Sequence, residues 1–198
     1  MPKTRKMLSD LNAPYIQPLV QLIEKQSKAI LVVWAAEYAE RVILPIWSKF
    51  YPDDLRPQYA LDAARKWLAG TIKLPLAKEA ILQCHAAARE AEAYPAAQAA
   101  ARATGHSAAS IHSARHCIGL VLYGAIAVAY DVLGISASWE QLEQCAADEC
   151  GRMLDTLLAA TVANEEDENP DLISRSAAFL RDVQDQQHDD CNQSQAYD

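Results

Sequence analysis

GHSAASIHSARHCIGLVLYGAIAVAYD, residues 105–131, decides how the rest of this chain folds. Three of the five histidines, His106, His112 and His116, crowd into its first half. Its second half, residues 117–130, carries no charged side chain. A helix without a polar face has nothing to offer water, so this run belongs at the centre of a core. It is shorter than the roughly 18 to 20 residues that cross a bilayer, which makes it a core helix rather than a membrane span.

Outward from that centre, composition points the same way. Hydrophobic residues make up 51% of the chain but aromatic ones only 7%, because alanine carries much of the apolar count. β-Branched residues never alternate with polar ones over a strand length, and glycine is scarce. The expected fold is all-α without a sheet, a single-domain irregular helical bundle or short helical superhelix of about six to eight helices. Gly119 and Gly124 are expected to let neighbouring helices approach the central one closely.

Prolines punctuate the chain. Pro14, Pro57, Pro75 and Pro95 each precede a helical pattern, where a missing N–H costs nothing. A long first helix is expected over residues 17–49, disturbed at Pro18 and kinked or ended at Pro45. YPDDLRP then supplies a turn with Asp53 and Asp54 as caps. Helices follow over 57–69, stopped by Gly70, and over 75–93. From Pro95 to about residue 133 the pattern reads as one helix, or as two joined near Gly105 or Ser113. Ser138-Trp139-Glu140-Gln141 has the form of a capping box opening a last long helix. These boundaries give an N-terminal tail at 1–13, a helical domain at 14–163, an acidic linker NEEDENPD at 164–171 and a C-terminal helix at 172–184. Residues 185–198 lack apolar content and are expected to be disordered.

With 18 basic and 26 acidic residues the net charge is −8. There is no basic field to release counterions from phosphates, so neither nucleic acid nor an anionic membrane is an expected partner. Five cysteines, at 84, 117, 145, 150 and 191, include no CxxC pair. An odd count without metal-like spacing, and no apolar h-region behind the basic start, are what reduced thiols in a cytoplasmic protein would show.

The chemistry-bearing candidates are His85, His106, His112, Arg115, His116, Glu40 and Arg65. His112 and His116 share a helix face, a spacing that can hold one metal ion. On an ideal helix His106 lies about 120° around the axis and roughly 9 Å along it, which keeps it from joining that pair unless the helix breaks. No carboxylate occurs between Gly105 and Tyr130, and no HExxH is present. The plainer reading has these histidines hydrogen-bonding between helices, with Ser107, Ser110 and Ser113, near a helix junction. Adjacent side chains on a helix diverge by about 100°, so Cys84-His85 is a poor catalytic couple. Glu37 and Arg41 are spaced for an intrahelical ion pair, and Glu40, if buried, would need Arg65 or Arg115 from another helix. No phosphate loop or nucleophile elbow is found, so neither enzymatic activity nor a cofactor is expected.

The runs AERVILPIWSKFYPDDLRPQYALDAARKWLAG, IKLPLAKEAILQCHAAARE and SWEQLEQCAADECGRM, together with the central stretch and in this order, resemble a bacterial immunity-protein family, the immunity-5-like domain of polymorphic toxin systems. The resemblance covers about residues 20–165. Matching positions include Trp34, Glu40, Asp53, Arg56, Pro57, Arg65, Trp67, His112 and His116. It departs at NEEDENPD, where an NEPNP-like ending is usual. The resemblance implies an all-helical, non-enzymatic protein that binds and neutralises a cognate protein toxin, a role an acidic surface would suit. Two other readings remain: a metal- or small-molecule-binding helical protein using His106, His112 and His116, and a structural oligomer with Trp34, Trp47 or Trp139 at an interface. A homodimer is compatible with the immunity role as well.

Overall fold

A computed structural model describes residues 4–166, with side chains as far as residue 162. The expected linker beyond residue 166, the 172–184 helix and the 185–198 tail lie outside the described residues. The chain divides into one unit of residues 1–160 and a second of residues 161–198. Every described element is helical, and the fold is an all-α bundle without a sheet.

In chain order the helices are α1 (Gln17–Lys25), α2 (Lys28–Tyr38), α3 (Leu44–Phe50), α4 (Arg56–Leu68), α5 (Leu74–Glu90), α6 (Pro95–Ala109), α7 (His116–Leu133) and α8 (Trp139–Glu166). A π-helical stretch, Ala39–Ile43, joins α2 to α3. The expected helix over 17–49 is therefore three helices and a π-turn. Pro18 opens α1 rather than disturbing it, and Pro14 lies ahead of it in a turn. Ser27, read as ordinary helix, breaks the pattern as a cap: its Oγ accepts the Ile30 N–H at 3.3 Å. Pro45 does not end the helix. It sits in the first turn of α3, where a missing N–H costs nothing, and in the wider π-turn before it the Leu44 N–H reaches back five residues to the Ala39 carbonyl. The Glu37–Arg41 pair does not form, because the π-turn begins between them.

Other expectations hold. Gly70 takes φ +69°, the Gly70 N–H bonds the Trp67 carbonyl, and the Thr71 N–H bonds the Lys66 carbonyl, both at 2.9 Å. That pair of bonds is a Schellman motif, which only a residue tolerant of positive φ closes without strain. The box at α8 is complete: the Ser138 N–H donates to Gln141 Oε1 at 3.0 Å, and the Gln141 N–H donates to Ser138 Oγ at 3.2 Å.

The core centres on α6 and α7. Alanines bury much of α6, and small side chains let α7 pack closely against it. The described residues contain one helix, His116–Leu133, long and apolar enough to cross a membrane. Most of its length is buried inside this core.

The N-terminal segment set apart as a tail is built into the body. Leu8 is buried, and its N–H donates to the Leu122 carbonyl at 3.2 Å. The Tyr130 hydroxyl donates to the Arg5 carbonyl at 2.8 Å, and the Arg5 guanidinium lies 3.7 Å over the Trp139 ring. Trp34 and Trp47 are buried, so neither is free for an interface. Trp34 instead donates from Nε1 to Thr156 Oγ1 at 3.0 Å.

Candidate functional site

The histidines meet because the helix breaks. Between α6 and α7 the amides of Ser110, Ile111, His112, His116, Cys117 and Ile118 all bond three residues back instead of four. Hydroxyls compete for the same carbonyls: Ser110 Oγ donates to the Ser107 carbonyl at 2.6 Å, Ser107 Oγ to that of Ala103, and Thr104 Oγ1 to that of Ala100. These serines and threonine serve the backbone and not the histidines. The chain turns over residues 110–115, and Gly105 lies inside α6.

This turn corrects the ideal-helix geometry that kept His106 away from the pair. His106 Nδ1 sits 3.1 Å from His116 Nδ1, a hydrogen bond in which one ring must carry the donor proton. His112 packs edge-on against His116 with centroids 4.8 Å apart, and His85 packs edge-on against His106 at 5.3 Å. Tyr123 stacks on His106, with centroids 5.4 Å apart.

Two glycines make the room. A Cβ on Gly119 would fall 2.4 Å from His106 Cγ, and one on Gly105 would fall 2.6 Å from His85 Cε1. Gly119 thus accommodates a ring rather than a helix backbone. Gly124, the other small position on α7, faces Met153 Cε and Ile43 Cδ1.

Burial holds His85, His106 and His112 neutral, each pushed down to about 4, with repulsion from neighbouring imidazoles and cations adding to it. Burial lowers His116 as well. The Nδ1 atoms of His85 and His112 are buried with no hydrogen-bond partner. Among the described residues no group of three His, Cys, Asp or Glu is placed to hold a metal ion. These imidazoles fill space between helices, and His106 and His116 share a hydrogen bond.

Glu40 finds Arg65. The guanidinium donates to both carboxylate oxygens, and it holds the carboxyl below its ordinary value. Both side chains are exposed by more than a third, so the pair ties the π-turn to α4 at the surface. Arg115 is exposed at the start of α7 and takes no part in this pair. Cys84 is buried, donates to the Ala101 carbonyl, and is pushed up to about 12 by burial, which keeps it a thiol.

Two features were not foreseen. Glu149 is only 2% exposed and accepts the Tyr38 hydroxyl at 2.5 Å and Arg152 Nε at 2.7 Å. The sequence gives no sign that this glutamate, among the other acids of α8, is the one turned inward. The second is the link between α3 and α4, read only as a turn. Phe50, Tyr51, Pro52, Asp53, Asp54, Leu55, Arg56 and Tyr59 line an open depression of about 540 Å³. Asp54 accepts the Arg56 backbone N–H at 3.1 Å and its Nη2 at 2.6 Å. Arg56 also reaches Glu90 through Nη1 at 3.1 Å and Nη2 at 2.5 Å. The guanidinium holds both carboxyls below their ordinary values. The paired Asp-Asp beside Phe-Tyr is the sequence signal for this link. Neither aspartate is the N-cap of α4, which is Leu55 without a side-chain cap, and Asp54 holds Arg56 instead.

The described residues form an all-α body whose polar side chains tie its elements together, with Cys84, Cys117 and Cys150 buried. The chain belongs to the family described as Imm-5 like putative immunity protein, whose model matches residues 21–156. No curated protein and no solved structure matches it.

Proposed function

We propose that this protein acts in the cytoplasm of a bacterium carrying a polymorphic toxin system, where it binds and neutralises a cognate toxin without catalysis. Family membership is the observation that carries the reading, since the family's role implies a protein partner of the toxin kind. The chemistry is consistent with it. Cys84, Cys117 and Cys150 are buried and each is pushed up to about 12, so none is a thiolate nucleophile near neutrality. A rigid body with a net charge of −8 can steer onto a basic partner and raise the association rate.

The test is co-expression with each protein encoded beside its gene. Rescue of growth against one of them is the expected result. Failure against every neighbouring toxin overturns the reading.

A further inference from the structure

We propose that the α3–α4 link and the end of α5, Phe50 to Tyr59 with Glu90 and Tyr94, form the docking face for a cationic protein surface. This rests on the immunity reading and adds to it the face and the partner's chemistry. Three independent observations meet here.

The first is exposure. Phe50, Tyr59 and Tyr94, at 38%, 57% and 47%, are the exposed aromatic rings among the described residues, and all three belong to this face. Phe50 and Tyr94 lie 5.1 Å apart, and Tyr59 lines the same depression as Phe50, with Leu55 between them at 47%. Aromatic rings left in water as a group mark an interaction surface, whereas single exposed leucines do not.

The second is rigidity. Trp47, buried in the core, donates from Nε1 to the Asp54 carbonyl at 2.8 Å, and its ring stacks on Tyr51 at 4.5 Å. Tyr51 in turn meets Tyr94 edge-on at 5.8 Å. Arg56 locks Asp54 to Glu90, joining the start of α4 to the end of α5. A link fixed at both ends loses little freedom when a partner arrives.

The third is charge. Asp53, Asp54 and Glu90 contribute three carboxylates against one guanidinium, Arg56, leaving the face at −2. Asp53 is exposed and carries no ion pair among the described residues. Carboxylates beside aromatic faces suit arginine and lysine, which pair with the one and stack on the other. A second copy of this chain is disfavoured by the same charge, because an isologous contact would set these carboxylates against themselves.

Binding of the purified full chain to the product of each flanking gene, as a function of salt, tests this. Tyr59→Ala and Leu55→Ala touch exposed side chains. They should weaken binding about tenfold or more, with circular dichroism and Tm unchanged. Asp53→Lys should slow association and flatten its salt dependence. Leu82→Ala, exposed on α5 about 12 Å along the axis from Glu90, should change nothing. If the unaltered chain binds and protects while Tyr59→Ala, Leu55→Ala and Asp53→Lys all bind within twofold of it, this face is wrong and the immunity role stands. If the unaltered chain neither binds nor protects against any flanking product, the immunity reading falls and takes the face with it. If light scattering shows a dimer that Tyr59→Ala dissolves, the occupant is a second copy and the cationic partner is overturned.

Discussion

The histidine junction and the aromatic link are built from similar materials and do opposite things with them. At 105–119, polar rings are drawn inward, kept neutral by burial, and fitted into the space two glycines leave. At 50–59, aromatic rings are left outward beside ionised carboxylates, while the backbone beneath them is anchored to a buried tryptophan. Residue type alone therefore misleads about placement: these histidines are drawn inward, and Phe50, Tyr59 and Tyr94 stay at the surface. What separates the two regions is whether the surrounding helices close over the side chains.

Trp47 anchors the aromatic link to the core, and altering it gives the largest expected effect. Trp47→Ala should cost about 3–5 kcal/mol in chemical denaturation, since it empties a fully buried site. Trp47→Phe keeps most of the packing and removes only the bond to Asp54, so its loss should be nearer ~1 kcal/mol. It should also loosen the link, read as faster amide exchange at residues 51–55.

Gly119→Ala comes next. The new methyl meets His106 close to its Cβ, where the ring cannot simply swing away, so about 1–3 kcal/mol should be lost. Binding to a partner should be untouched. A binding defect in a variant of unchanged Tm would bring the histidines back as the functional site.

Acid separates the regions by sign and window. Unfolded histidines titrate near 6.5, whereas His85, His106 and His112 titrate near 4 in the fold. Between those values the unfolded chain binds more protons, so their contribution is whole above about 6.5 and lost as pH falls toward 4. Asp54 and Glu90 are held low by Arg56, so their contribution is lost only below the ordinary carboxylate range near 4. Tm should thus decline between pH 6.5 and 4.5 while the aromatic link keeps its local order. A flat Tm across that interval would mean that the imidazoles are not buried neutral.

The smallest expected effect is none. Zinc added in molar excess should leave Tm unchanged, and a rise of several degrees would show that the four rings gather around a metal after all.

Features decided within a few residues were legible in the sequence. Residues 117–130 could only be a core helix, Gly70 closes its Schellman turn, and Ser138 with Gln141 forms its box. What depended on distant partners was not. The break at 110–115 combines serine back-bonding with the demand that α7 lie along α6, and the sequence left open whether the helix breaks and so whether His106 meets His116. Ser27 caps a helix inside a pattern that reads as continuous, and residues 5–8 are held by Leu122, Tyr130 and Trp139, more than a hundred residues away. The docking face was hidden for the opposite reason. No local pattern says that Phe50, Tyr59 and Tyr94 stay uncovered, because exposure is what remains after every other helix has been placed.

Amide hydrogen exchange of the full chain, with and without a flanking-gene product found to bind it, tests the contrast most directly. Protection should appear at residues 51–59 and around Glu90 to Tyr94, with residues 106–116 unchanged. Protection centred on residues 106–116, with 51–59 unchanged, would contradict the account.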